Sequence, residues 1–463
     1  MKPTAKAAPP GPPISATFGL YRQLVTDRLG MLTSAADRYG DAVRITVGPQ
    51  TLYYFNHPDH AKHVLADHSG NYHKGIGLTE ARRAIGDGLL TSEGELWRKQ
   101  RKMIQPVFQN RRLAVHAQAI AEEAAHLVTR LRAHEGGRPI DLSAEMTGLT
   151  LGVLGRTILD ADLGSVGLIG HAFEAVQDQA MFDMVTLSKV PRWLSLPKER
   201  RFRRALRELH RVADGLVAAR RADPRPDGDD VISRLIASTA DDPDRRAVRR
   251  RMREELITLL LAGHETTAST LSWAFLLIDR HPEVRERLRA EAAEVLGDRP
   301  PTYEDLHRLR YTAMVVEEVM RLYPPVWALT RKAVAADEVG GYPVAAGTEI
   351  MISPYTLHRH PEFWEAPERF DPERFDPARP ADRPRYAYIP FGAGPRFCVG
   401  NHLGMMEAVF VIATVVRELR LSARPGFNPF PEAMLALRIR GGFPVTVSSV
   451  DALPRGPMPA RRR

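Results

Sequence analysis

The sequence predicts a mainly α-helical protein with a small β-sheet region, an α+β chain folded as one domain. Three observations carry that expectation. Apolar residues recur at helical spacing through most of the chain from about Glu95 onward. Two alternating stretches, residues 42–47 and 51–55, flank Gly48-Pro49-Gln50 and read as a β-hairpin. Neither a long linker nor an internal repeat divides the chain, and 463 residues at 44% hydrophobic content suffice for a substantial core. Residues 1–15 read as a flexible proline-rich lead, residues 16–450 as the single domain and residues 451–463 as a basic tail.

Composition narrows the classes. A single cysteine excludes an intrachain disulfide and a four-cysteine iron–sulfur cluster, so redox centres of that kind must come from another protein. No stretch reaches the roughly 18–20 uncharged residues that span a bilayer, and Pro9, Pro10, Pro12 and Pro13 break the only early candidate. The expectation is a soluble, cytoplasmic protein without a membrane anchor. The formal net charge of +9 gathers at residues 98–102, 198–204, 245–253 and 461–463. With no nucleic-acid-binding signature beside them, these clusters point to an acidic protein partner rather than nucleic acid. The arginine-rich, lysine-poor usage suits a bacterial, high-GC genome.

Taken in order, the first cluster of polar groups is His57, His60, His63, His68 and His73. Three of them repeat every third residue, but no cysteine or paired carboxylate accompanies them, and Pro58-Asp59 is an ordinary helix start. A solvated helix with incidental histidines is the expectation. Gly75-Ile76-Gly77 lacks the third glycine and the strand-to-helix setting of a dinucleotide site. Trp97 and Arg101 follow, one turn apart on a predicted helix, so an indole N–H and a guanidinium point the same way, as an anion requires.

Residues 248–280 form a long proline-free helical pattern that ends at Pro282. Apolar runs on both sides enclose Ala262-Gly263-His264-Glu265-Thr266-Thr267. A carboxylate and hydroxyls inside an apolar helix cost stability unless they are paired or used. Gly263 is expected to open room beside the helix, and Thr266 to divert a backbone bond and loosen the turn. Glu318 and Arg321, three apart on one helical face, form an ion-pair candidate. Pro324-Pro325 then stop that helix, and Val326-Trp327-Ala328-Leu329 must leave it. Trp327 either stacks on an apolar ligand or fills core.

The last stretch is Phe391-Gly392-Ala393-Gly394-Pro395-Arg396-Phe397-Cys398-Val399-Gly400, which holds the only cysteine. Its glycines predict a tight turn that lets backbone approach something flat and large. A helix over residues 401–419 follows, so Cys398 stands at a loop-to-helix junction, where free N–H groups and the helix dipole favour a thiolate. The thiol reads as a metal ligand; the other reading is a buried structural cysteine.

The pattern F-x-x-G-x-R-x-C-x-G is met at Phe391, Gly394, Arg396, Cys398 and Gly400, a chance match on the order of one in ten thousand for a chain of this length. Here the sequence resembles the cytochrome P-450 family. Three more family motifs occur in order: Ala262 to Thr267 fits A/G-G-x-D/E-T-T/S, Glu318-Val319-Met320-Arg321 fits E-x-x-R, and Phe370-Asp371-Pro372-Glu373-Arg374-Phe375 fits the P-E-R-F segment. The resemblance spans about residues 40–446 and implies the P-450 fold, with haem b between the long central helix and the cysteine-loop helix.

It further implies that Cys398 is the axial ligand of the haem iron and that Phe391 packs near the sulfur. Trp97, Arg101, Arg331 and Arg396 would hold the propionates, while Ala262, Gly263, Gly394 and Gly400 border the haem. Glu265 and Thr266 would be the catalytic pair: Thr266 hydrogen-bonds the bound dioxygen and Glu265 relays protons from solvent. Glu318, Arg321 and Arg374 would form a structural triad. Val326, Trp327, Ala328 and Leu329 would line the substrate pocket, joined on rough position by Phe182, Met184, Met434 and Leu435.

The implied activity is insertion of one oxygen atom from O₂ into a hydrophobic small molecule. Electrons would come from NAD(P)H through a separate ferredoxin or flavodoxin and its reductase, docking near Arg98, Lys99 and Lys102. The stretches Leu329-Thr330-Arg331-Lys332-Ala333 and Gly340-Gly341-Tyr342 resemble bacterial members that oxidise terpenes or related secondary metabolites, polyketide-like ones included. A fatty-acid hydroxylase is the rival enzyme, and a non-catalytic haem-binding gas sensor the rival from another class.

Overall fold

A computed structural model describes residues 8–48, 50–163, 166–186, 197–225, 228–379 and 382–450. The expected basic tail, 451–463, lies outside the described residues, as does the first half of the proline-rich lead. The second half of that lead is tied down: Pro9 is buried, and the Pro10 carbonyl accepts a hydrogen bond from Arg44 N–H at 2.7 Å. An extended proline-rich segment has free carbonyls to offer, and here it covers the edge strand of a sheet.

The central element is the helix Arg245–Arg280, 36 residues, or about 54 Å at 1.5 Å per residue. Its start is fixed by Asp244, whose side chain accepts from the backbone N–H groups of Arg246 and Ala247, both at 3.0 Å. Its end is fixed by Pro282, which opens the next helix, Pro282–Leu296. From Leu256 to Leu261 and from Thr267 to Ile278 every residue is buried. Around it pack Leu142–Leu154, Pro197–Ala222, Arg310–Leu322 and the cysteine-loop helix Asn401–Glu418. The hydrophobic core is largely the interface of these helices.

The hairpin forms as expected, with Ala42–Val47 antiparallel to Gln50–Phe55. It is one edge of a five-stranded sheet whose order continues through Glu349–Ile352, Leu329–Ala333 and Tyr72–Lys74. Only the pairing of Gln50–Phe55 with Glu349–Ile352 is parallel in that sheet. The register at the far edge sets Lys74 directly opposite Arg331. A smaller hairpin, Pro431–Ala433 with Leu437–Ile439, is pinned to the central helix: the Leu437 carbonyl accepts from Trp273 Nε1 at 3.0 Å and from the Ser269 hydroxyl.

Two expectations about the central helix are corrected. The helix stays α-helical through Ala262 to Thr267, because Thr266 Oγ1 donates to the Ala262 carbonyl at 2.9 Å without displacing the backbone. Gly263 does not open empty room. A Cβ there would stand 2.8 Å from Leu154 Cδ1, so the glycine lets Leu142–Leu154 pack close.

Candidate active site

The cysteine loop is built by its glycines. Gly392 and Gly394 have φ of +73° and +65°, and a Cβ on Gly394 would come within 1.9 Å of the Leu65 carbonyl oxygen. Cys398 N–H donates to the Phe391 carbonyl at 3.0 Å, which closes the loop, and the Phe391 ring meets Phe397 edge-on at 6.3 Å. Gly400 is the N-cap of Asn401–Glu418 and directs its N–H at the Cys398 sulfur. The thiol is exposed, yet lies so deep in the site that burial pushes its pKa up, while the Gly400 N–H and Arg101 pull it down. The helix start alone therefore does not make a thiolate; burial outweighs it, and deprotonation falls to metal binding.

Across from this loop the buried part of the central helix is interrupted by an uncovered stretch. Ala262 is exposed, and Gly263, Glu265 and Thr266 are half-buried, between the buried stretches Leu256 to Leu261 and Thr267 to Ile278. The two helices touch there: a Cβ on Gly404 would lie 3.7 Å from Thr267 Oγ1. Glu265 is held by Gln177 of the helix Val166–Val185, whose Nε2 donates to Glu265 Oε2 at 2.7 Å. His264 turns away, its Nδ1 on the Leu260 carbonyl and its ring beside Phe173 at 5.1 Å.

Beside the loop stands a group of cations. Arg396 lies over the Trp97 ring, 4.0 Å from its centroid, and bonds the Glu93 carboxylate and the Ser92 carbonyl. Arg101 donates to the Phe397 carbonyl at 2.7 Å. Arg331 is buried, and among the described residues its side chain donates only to its own neighbour, the Thr330 carbonyl, at 2.8 Å. Burial and then Arg396 push its pKa down to about 10. Lys74 is pushed well below its usual value by burial, Arg331 and Arg396. Among the described residues Glu93 is the one carboxylate ion-paired in this group; Lys74, Arg101 and Arg331 have none. A buried guanidinium without an anion is costly, so the cluster is shaped for an anionic group that enters from outside the chain.

Comparison with known proteins gives the family. The family model described as Cytochrome P450 matches residues 9–442. The chain belongs to the cytochrome P450 family. It is similar to cyclooctatin synthase of Streptomyces melanosporofaciens, at 35% identity covering 86% of this chain and 87% of that one. Cyclooctat-9-en-7-ol 5-monooxygenase of the same organism is 34% identical, covering 92% and 91%. Pentalenene oxygenase of Streptomyces avermitilis is 32% identical, covering 87% and 88%. The protein is accordingly an oxidoreductase of the monooxygenase type, and its family uses haem and O₂.

The residues of this P450 fit that cofactor. An open thiol below, an uncovered helix stretch above and unpaired cations at the side are the surroundings that a flat, dianionic metal macrocycle needs. Arg396, which the resemblance assigns to a propionate, is already paired with Glu93. That leaves Arg101, Arg331 and Lys74 as the unpaired cations.

The triad is assembled and buried. Glu318 and Arg321 are both fully buried and joined by two hydrogen bonds, 2.6 and 2.8 Å, while Arg374 Nε lies 3.5 Å from Glu318. The ordinary surface pair that an i,i+3 spacing most often means is excluded. Trp327, read two ways from sequence, is core: it is buried, donates from Nε1 to the Met434 carbonyl at 2.7 Å and belongs to the same buried cluster as Leu437 and Tyr54. Val326, Ala328, Leu329 and Leu435 are half-buried and Met434 is buried at the turn of the small hairpin. Phe182 lies under Lys198 at 5.6 Å, and Met184 faces Gly77.

Glu93, Lys74 and Gln177 were not singled out from sequence. Each acts through a partner far along the chain, where no local spacing marks it. His358 was also missed: buried, with its pKa pushed down to about 3 by burial, it accepts Ile389 N–H at 2.9 Å and its carbonyl receives Arg321.

Proposed function

We propose that this P450 inserts one oxygen atom of O₂ into a terpenoid or related hydrophobic secondary metabolite. The observation that carries the reading is the uncovered Ala262-Gly263-Glu265-Thr266 stretch of the central helix next to the open thiol of Cys398. Cys398 would ligate the haem iron, Arg101, Arg331 and Lys74 would hold the propionates, and Trp97 and Arg396 would stand beside them. Bound there, the haem would supply O₂ reduction and the oxidising equivalent, and thiolate ligation favours O–O cleavage. The chain's own part is to bind, to exclude water and to move protons.

Thr266 Oγ1, now donating to the Ala262 carbonyl, would be the hydroxyl that holds and hands on a proton at the uncovered face of the helix. Glu265, oriented by Gln177 Nε2, would reload it from solvent. The terpenoid class is supported by the names of the Streptomyces relatives. Electrons would arrive from NAD(P)H through a ferredoxin or flavodoxin and its reductase. Arg98, Lys99 and Lys102 are exposed on the same helix, Gly94–Ile104, as Trp97 and Arg101, and suit an acidic, transient partner. Among the described residues no helix is long and apolar enough to cross a membrane.

A Soret titration of the ferric protein with a sesquiterpene, a macrolide-like polyketide and a long-chain fatty acid tests the substrate class. A low-to-high-spin shift with the terpene or polyketide is expected. A shift with the fatty acid alone would replace this reading with fatty-acid hydroxylation. Thr266→Ala is expected to keep haem content and NAD(P)H consumption while most of the reducing equivalents leave as hydrogen peroxide. Unchanged product yield per NAD(P)H would place the proton path elsewhere.

A further inference from the structure

The histidine-rich stretch is not the single solvated helix expected from sequence. An α-helix runs only from Pro58 to Lys62, and His63–Asp67 then form a π-turn in which His68 N–H donates to the His63 carbonyl at 2.9 Å. Closing the backbone over five residues carries side chains five apart onto one face. His63 and His68, rather than His57, His60 and His63, therefore stand together, with ring centroids 3.9 Å apart. Asp337 of the strand Asp337–Val339 completes the group. Its Oδ2 lies 2.9 Å from His63 Nε2 and 3.4 Å from His68 Nδ1.

We infer that His63, His68 and Asp337 bind one divalent transition-metal cation of the zinc class. Two imidazoles and a carboxylate are a zinc donor set, with the fourth position left to water. One ligand atom from each residue lies within 4.8 Å of the others. Tetrahedral bonds of 2.0–2.1 Å set ligand atoms about 3.3 Å apart, close to the two nitrogen–oxygen separations found. An ordinary hydrogen-bonded His–Asp pair accounts for less. Oδ2 already accepts the Tyr72 phenol at 2.6 Å and has His63 at 2.9 Å, which fills its two lone pairs. The contact of His68 Nδ1 with the same oxygen, at 3.4 Å, is the longest of the three, and in the tautomer protonated on Nε2 it offers a lone pair to the middle of the group.

The outer partners suit a ligand carboxylate. Tyr72 holds Oδ2 and Glu338 N–H holds Oδ1 at 2.8 Å, fixing its orientation. The His68 side chain is 52% exposed, which leaves a way in. The place has a consequence as well. Leu65, within the π-turn, is the residue whose carbonyl abuts Gly394 of the cysteine loop. A cation joining the turn to the Asp337 strand stiffens the wall behind that loop.

The test uses the full-length, haem-loaded protein without a polyhistidine tag, stripped by chelator and titrated with Zn²⁺ against a fluorescent zinc chelator. One Zn²⁺ per chain is expected, bound at least tenfold more weakly by His68→Ala and by Asp337→Asn. His73→Ala, which removes an exposed histidine outside the group, is expected to bind like the wild type. Zn²⁺ should also raise the unfolding midpoint of the wild type and leave that of His68→Ala unmoved. An unchanged Soret band verifies the fold of each variant. Should Asp337→Asn fail to fold, His68→Ala decides alone. No uptake at micromolar Zn²⁺, or equal affinity in wild type and His68→Ala, overturns the inference.

Discussion

Cys398→Ala abolishes the red-shifted Soret band of the reduced carbonyl complex; this is the largest effect expected of any single substitution in the chain. No second cysteine exists to replace the ligand. The loop geometry also serves this one atom: Phe391 and Cys398 close the turn, Gly394 lets it rest on the Leu65 carbonyl, and Gly400 aims its N–H at the sulfur. Of these contacts only the Gly400 N–H bond uses the side chain of Cys398; the Phe391–Cys398 backbone bond and the close approach of Gly394 to Leu65 do not, so the variant should fold with the loop in place. The readout is the difference spectrum of the dithionite-reduced protein under carbon monoxide, with circular dichroism as the fold check. A folded Cys398→Ala protein that keeps the band would remove the thiol from the site.

The motif residues were legible because each motif is local. Trp97 and Arg101, Glu318 and Arg321, and the ten residues around Cys398 face one another through helix or turn spacing alone. The same holds for the central helix and the cysteine-loop helix, whose expected and observed ends differ by no more than three residues. What could not be read is what joins segments hundreds of residues apart. Lys74 meets Arg331 only because two strands pair at the sheet edge, and Glu93 meets Arg396 only because the loop folds back over Trp97. Gly263 looked like space because sequence shows a missing side chain, not the Leu154 that fills its place. The histidines were misjudged for a different reason. Their spacing predicts neighbours on a 3.6-residue helix, whereas the backbone changes to a π-turn at His63.

Arg321→Leu is expected to destabilise the haem-loaded protein by about 3–5 kcal/mol, the range for breaking a buried ion pair from one side. The guanidinium uses all five of its donors: two on Glu318, and one each on the carbonyls of His358 at 3.0 Å, Pro367 at 2.7 Å and Arg369 at 3.1 Å. Those three carbonyls belong to the segment that leads into the cysteine loop, so haem loss should quicken together with unfolding. Arg374→Leu should cost much less, since its Nε makes no hydrogen bond and lies 3.5 Å from Glu318. The deficit of Arg321→Leu should also depend on pH. Burial pushes the Glu318 pKa up even with Arg321 present, and without that partner the carboxyl rises further. A carboxyl raised in the folded state binds its proton more tightly there than in the unfolded chain. Its contribution is then most favourable at acid pH and is lost as pH climbs through the folded-state value. The gap between variant and wild type in denaturant midpoint should therefore narrow from slightly alkaline to mildly acidic pH. A deficit under about 1 kcal/mol, constant across that range, would mean that the pair behaves as an exposed one and that the cysteine loop is held by other contacts.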